Sequence, residues 1–170
     1  MVDDERFERV WRTHGASLLR YCRFAVASPE IGEDLAAETF AAFLQKGDRV
    51  ADEHVEAWLF TVARNACRSH HRRSTRWDLL LPQLMQPSEA ATGARTHTDV
   101  IALLEPLTSD ERLAVYLRIV EERPFAEVAK VLRKSRDATK KIVYRALRRL
   151  RRTLEPATPG VLHDGGVENE

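Results

Sequence analysis

The sequence predicts an all-α protein, two small helical domains joined by a flexible linker, the C-terminal one a helix-turn-helix. Three observations carry this. Apolar residues recur at spacings of three and four in six separate stretches. Capping residues, prolines and polar breaks fall between those stretches. Residues 130–152 then hold eleven Lys or Arg against one acid, Asp137, on a helical apolar frame.

Taken in order, residues 4–26 place Phe7, Val10, Trp11, Leu18, Tyr21, Cys22 and Ala25 on one stripe of a first helix. Ser28 followed by Pro29 is a cap with proline at the first helical position. The helix it opens runs through Ile31, Leu35, Thr39, Phe40, Phe43 and Leu44, and Gly47 with Asp48 ends it. Residues 46–54 are polar and aperiodic, a loop. Val55, Trp58, Leu59, Val62 and Ala66 begin a third helix expected to end near Arg73. Trp58 belongs to its apolar stripe and reads as core.

From Trp77 to about Thr98 no stripe is sustained, and prolines, a glycine and small polar residues mark a linker. Its apolar front, Leu79, Leu80, Leu81, Leu84 and Met85, suits docking on another surface. Thr108 and Glu111 stand at capping-box spacing and open a helix with Leu113, Tyr116, Leu117 and Val120 inward. A short segment from Pro124 to Leu132 is broken by Arg133, Lys134 and Ser135, the last placed to cap a final helix. That helix is framed by Ala138, Ile142, Ala146, Leu147, Leu150 and Leu154. The domains are therefore expected at 1–76 and 99–154, with the linker at 77–98 and a disordered tail at 155–170.

The net charge of +1 conceals a strong asymmetry, because the Arg-rich stretch 64–76 and the segment 130–152 are basic and the remainder is acidic. Such a chain offers basic faces to nucleic acid and acidic faces to a basic protein surface. Cys22 and Cys67 lack CxxC or Cys/His ligand spacing and read as reduced, buried residues of a cytoplasmic protein. His70 and His71 are adjacent, so a helix cannot aim both at one metal; no metal or cofactor is expected. No membrane-spanning segment and no signal peptide are expected, since no apolar run is long enough and residues 1–10 are acidic and amphipathic. Without a Gly-rich phosphate loop, an HExxH or a nucleophile elbow, no catalytic residue and no enzyme activity are expected.

Two helices joined by a tight turn, the second basic, form a helix-turn-helix whose second helix enters the major groove. A basic amphipathic helix that coats an acidic partner or a membrane surface is the alternative for that segment alone.

Across residues 5–154 the chain resembles the extracytoplasmic-function (ECF) sigma factors of bacterial RNA polymerase. Three blocks carry the resemblance. Gly32-Glu33-Asp34-Leu35-Ala36-Ala37-Glu38-Thr39-Phe40 is similar to the family's core-binding segment. Ala57-Trp58-Leu59-Phe60-Thr61-Val62-Ala63-Arg64-Asn65-Ala66 is similar to its promoter-melting helix, and residues 107–154 to its -35-reading domain. The resemblance implies a promoter-specificity subunit that binds the largest and second-largest polymerase subunits and promoter DNA. Many relatives are held by an anti-sigma factor, so such a partner is admitted as well.

By the same resemblance Glu33, Asp34, Leu35, Glu38 and Thr39 would bind core polymerase. Arg49, His54, Arg64, Asn65, Arg68, Arg72 and Arg73 would hold the separated -10 strand, with the 46–54 loop supplying part of a pocket for a flipped base. Arg136, Lys140, Lys141, Tyr144, Arg145 and Arg148 would serve the -35 duplex. The chain departs from the family pattern at the turn, where Arg133 replaces the usual glycine. It departs again at the opening of the recognition helix, where Asp137 could accept from a cytosine amino group. Two other readings stay open: a sigma-like adaptor or decoy that binds a regulatory protein, and a stand-alone helix-turn-helix regulator.

Overall fold

The computed structural model describes residues 1–80 and 102–154, with side chains through residue 73 and from 102 on. Most of the expected linker, including Leu81, Leu84 and Met85, and all of the expected tail lie outside the described residues. Six α-helices and no strand occur among the described residues.

Helix α1 spans Asp4–Val26, and the Asp3 carboxylate caps it by accepting from the Arg6 N–H at 2.8 Å. Helix α2 spans Pro29–Lys46, with Ser28 as cap and Pro29 in its first turn, as the sequence predicts. The two pack so closely at Gly32 that a Cβ there would lie 2.6 Å from the Arg23 backbone. Two 3-10 turns, Gly47–Arg49 and Asp52–His54, follow within the expected loop. Arg6 organises that loop: its guanidinium reaches Asp52 at 2.9 Å, donates to the Gly47 carbonyl at 3.0 Å and also meets the Val50 carbonyl.

Helix α3 spans Val55–Leu80, longer than the expected end near Arg73. Residues 74–80 include neither Gly nor Pro, so nothing local breaks the backbone after Arg73. The first three helices bury Leu18, Tyr21, Cys22, Phe40, Phe43, Leu59, Phe60 and Cys67 between them. Trp58 is half-buried and packs its ring on Phe43 at 5.8 Å. Trp11, expected in the stripe of α1, is 51% exposed and lies across the outer edge of Phe40.

Helix α4 spans Ser109–Val115 and opens with the full capping box: Thr108 accepts from Glu111 N–H, and Glu111 accepts from Thr108 N–H. A wide π turn, Tyr116–Val120, continues it, closed by the Glu121 N–H donating to the Tyr116 carbonyl at 3.0 Å. That widening rotates the end of the segment off the helical stripe, so Val120, expected inward, is 53% exposed. Helix α5 spans Phe125–Leu132 and helix α6 spans Arg136–Leu154. Arg133 between them adopts φ 54°, the left-handed geometry that a glycine would hold at no steric cost. The Ser135 Oγ accepts from the Ala138 N–H at 3.2 Å, the expected cap of the last helix. Ile142 and Ala146 are buried, whereas Leu147 and Leu154 of the expected frame are exposed, because α6 packs on α4 and α5 along one narrow line.

The two helical units do not stand apart. A single apolar core runs from Leu18, Tyr21 and Phe60 into Leu113, Tyr116, Leu117 and Val128. Tyr116 sits at its centre, its ring tilted against Tyr21 at 5.4 Å and against Phe24 at 5.6 Å. Patterning within each segment reveals nothing of this docking, since each helix needs only one apolar stripe to close its own unit.

Candidate nucleic-acid interface

Helix α2 presents its acids from a fixed base. Leu35 is buried and Thr39 is wholly buried, its hydroxyl donating to the Leu35 carbonyl at 2.8 Å. These two were expected among polymerase contacts; the structure places both beneath the helix, where they hold it to the core. Glu33, Asp34 and Glu38 are exposed. Glu33 accepts from Arg23 at 2.6 Å, while Asp34 and Glu38 rim a cavity of about 460 Å³ shared with Ser69, His70 and Arg73 of α3. Arg73, expected with the -10 cations, therefore sits beside the acidic ridge.

The remaining cations of α3 face elsewhere. Arg68 and Arg72 line a cleft of about 970 Å³ whose opposite wall carries Lys134 and Arg145. Arg64 is half-buried and donates through Nη1 to Asp110 Oδ1 at 2.7 Å. Asn65 is exposed. Arg49 and His54 are exposed on the loop and border a separate pocket of about 780 Å³ with Val50, Ala57 and Trp58. Lys130 and Arg133 of the C-terminal unit close its far side. Glu53 and Glu56 line it as well, so the recess combines an apolar floor with charges of both signs.

On α6, Arg136, Lys141 and Arg148 are exposed and Lys140 is half-buried. Tyr144 is 57% exposed, its ring 6.2 Å from Phe125. Arg145 has a structural commitment: its Nε donates to Glu111 at 2.7 Å, and Arg149 donates to the other carboxylate oxygen at 2.8 Å. Burial pushes the Glu111 carboxyl up, but the Thr108 N–H and the two guanidiniums outweigh it and hold its pKa below the usual range.

Several residues that shape this surface have no local sequence signal. Arg112 donates to the Leu104 carbonyl at 3.0 Å and reaches the Ala25 carbonyl and the His71 ring. The same His71 Nε2 also meets the Ala25 carbonyl at 2.9 Å, so Arg112 and the ring converge on one backbone oxygen at the end of α1. Burial, with Arg112 and His70 adding to it, lowers the His71 pKa. Arg123 pairs with Glu56 and lies over the Phe60 ring at 5.9 Å. The Tyr116 hydroxyl donates to Glu121 at 2.6 Å, and burial together with that carboxylate pushes its pKa up to about 12. Arg112 and His71 are 41 residues apart in sequence and Arg123 and Glu56 are 67 apart, beyond the reach of any spacing rule. Among the described residues no group of three His, Cys, Asp or Glu could hold a metal ion. No described helix is long and apolar enough to cross a membrane.

A helix-turn-helix with an outward-facing basic recognition helix, joined to a second helical unit that carries its own cationic face, defines a DNA-binding protein of the transcription machinery. Residues 10–77 match the Sigma-70 region 2 family and residues 103–152 match Sigma-70, region 4. The ECF RNA polymerase sigma factor BldN of Streptomyces coelicolor is 26% identical over 160 residues, and the match covers 88% of this chain and 61% of BldN. The ECF RNA polymerase sigma factor SigX of Bacillus subtilis is 25% identical over 165 residues, covering 89% of this chain and 85% of SigX. Among solved structures, RpoE in complex with the anti-sigma factor NepR from Bartonella quintana shares the fold with a TM-score of 0.60 at 23% identity, over 88% of this chain and 97% of that one. The chain belongs to the sigma-70 family and is an ECF sigma factor.

Proposed function

We propose that this sigma factor docks on core RNA polymerase through Asp34 and Glu38 and directs initiation by reading two promoter elements with separate units. The carrying observation is the exposed acidic pair on a helix anchored from beneath by Leu35 and Thr39. A rigid anionic ridge suits a basic protein surface and costs little to present. Arg49, His54, Asn65, Arg68 and Arg72, with the pocket beside Trp58, would hold the melted -10 strand. Arg136, Lys140, Lys141 and Arg148 would hold the -35 duplex, with Tyr144 and Asp137 near base edges. The protein would work in the cytoplasm and need neither metal nor cofactor.

An anti-sigma partner is proposed on the strength of the RpoE–NepR complex, whose sigma factor has this fold. The test is transcription of genomic DNA by purified core polymerase with and without the protein, followed by mapping of RNA starts. Protein-dependent starts that share a spaced pair of upstream motifs support the reading. The double substitution Asp34→Arg with Glu38→Arg should abolish both these starts and association with core while helical content is unchanged. Normal association by that folded variant would refute the assignment of the ridge.

A further inference from the structure

Five cations line the cleft of about 970 Å³: Arg68 and Arg72 of α3, Arg112 of α4, Lys134 of the turn and Arg145 of α6, against the single carboxylate of Asp110. The other two cavities balance their charges more closely. Beside Trp58, Arg49, Lys130 and Arg133 meet Glu53 and Glu56, and on the acidic ridge Arg73 meets Asp34 and Glu38. Within the cleft, Lys134 pairs with Asp110 at 3.4 Å and Arg145 with Glu111 at 2.7 Å. Arg68, Arg72 and Arg112 have no ion pair among the described residues. Arg68 and Arg72 are four positions apart on one helix, a spacing at which like charges repel. Arg112 is half-buried and donates to the Leu104 and Ala25 carbonyls, neutral acceptors that orient its guanidinium without supplying a counter-ion. Burial lowers its pKa, the mark of a cation short of negative charge.

We propose that this cleft is a binding site for a small polyphosphate anion, a nucleoside triphosphate or its inorganic counterpart, held between α3 and the C-terminal unit. Guanidiniums grip phosphate through paired N–H donors, and Lys134 adds a point charge. Ser109, in the same lining, brings a hydroxyl able to donate. Leu107 and Ile142 give the cleft an apolar side on which a base can rest. The volume lies within the range of about 300–1,000 Å³ usual for small-molecule pockets. The cations surround one space, whereas a groove that tracks a strand spreads them along a line, so a compact polyanion fits better than a length of nucleic acid. Arg68 and Arg72 are shared with the proposed -10 surface, and ligand and melted strand would compete for them. The inference stands on the cleft itself and does not require the promoter reading.

Isothermal titration calorimetry of the full chain, at about 0.15 M salt to screen diffuse attraction and without divalent cations, tests this with inorganic tripolyphosphate, ATP and AMP. The expected result is one-to-one binding of tripolyphosphate and of ATP, with AMP weaker by about tenfold or more. Arg68→Gln with Arg72→Gln changes two exposed side chains and should weaken binding by about tenfold for each guanidinium lost. Arg151→Gln with Arg152→Gln removes the same charge from an exposed stretch of α6 outside the cleft and should leave affinity nearly unchanged. Circular dichroism establishes that both double variants keep their helices. ATP binding more tightly than tripolyphosphate would assign the apolar side to the base, and equal affinities would assign the site to the phosphates alone; either supports it.

Equal losses in the two double variants would overturn the site, because binding would then follow net charge only. No binding of tripolyphosphate or ATP at millimolar concentration would overturn it as well. The same holds if a single-stranded oligonucleotide binds through Arg68 and Arg72 while tripolyphosphate does not, since the cleft cations would then serve the strand alone. Failure of the promoter reading would show separately, as missing RNA starts with core polymerase.

Discussion

Arg145 donates to Glu111 at 2.7 Å and so ties the recognition helix to the capping box that opens α4. The side chain of Glu111 is 0% exposed and carries two roles at once, as N-terminal cap and as counter-ion to Arg145 and Arg149. Glu111→Ala should cost about 2 kcal/mol, roughly 1 for the cap and a similar amount for the charged hydrogen bonds. Thermal or urea unfolding of the variant checks this. A loss under a few tenths of a kcal/mol would show that α6 is held by its apolar line alone.

The same pair separates two kinds of basic residue on α6. Lys140 has no acidic partner among the described ion pairs, whereas Arg145 has Glu111. Lys140→Ala should weaken duplex binding and lower the salt slope by about one unit while leaving the melting temperature in place. Arg145→Ala should lower the melting temperature as well. Titrations of upstream promoter duplex at several salt concentrations, beside melting curves, separate the two outcomes.

Arg133 lies at φ 54° where the turn closes with the Lys134 N–H donating to the Ala129 carbonyl at 3.0 Å. Arg133→Gly removes the steric cost of that geometry and should stabilise the protein by about 1 kcal/mol, less the entropy a glycine returns to the unfolded chain. A decrease in melting temperature would mean that the Arg133 side chain contributes more at the pocket rim than its backbone loses.

His71 supplies a pH dependence whose direction is fixed. Burial first, then Arg112 and His70, hold its folded pKa below the ordinary 6.5, and burial lowers His14 in the same way despite Glu56, with Arg123 adding to the decrease. The unfolded chain therefore takes up protons below about pH 6.5 that the folded chain refuses. Stability is fully present above that value and is lost as pH falls toward the lowered folded pKa. Melting temperatures measured from pH 7.5 down to 5.5 should decrease, and His71→Gln should flatten part of the decrease. A melting temperature that rises on acidification would contradict the assignment.

The helices were legible in the sequence because their signals are local: Ser28 with Pro29, Thr108 with Glu111, and Ser135 each cap the helix they were expected to cap. The positive φ at Arg133 was legible from the missing glycine. Errors arose where a local rule meets a nonlocal constraint. Val120 left its stripe through a π turn, and α3 ran past Arg73 because no Gly or Pro lies between there and Leu80. Docking of the two units was invisible for a plainer reason. Arg112 and Arg123 carry no local signal and Arg64 was expected on the -10 strand, and only their distant partners turn the three into cross-links.

Gly32 makes no contact with any partner proposed above, yet it governs the acidic ridge. Two backbones touch there because a methyl group is missing, which sets the tilt of α2 and with it the direction in which Asp34 and Glu38 point. A side chain at this position would pry the helices apart by something on the order of an ångström and re-aim both carboxylates together. Such a variant would behave in a binding assay like the loss of a contact residue while every contact residue remained in place. Mapping of the polymerase footprint by loss of function alone would therefore count this silent spacer among the gripping residues.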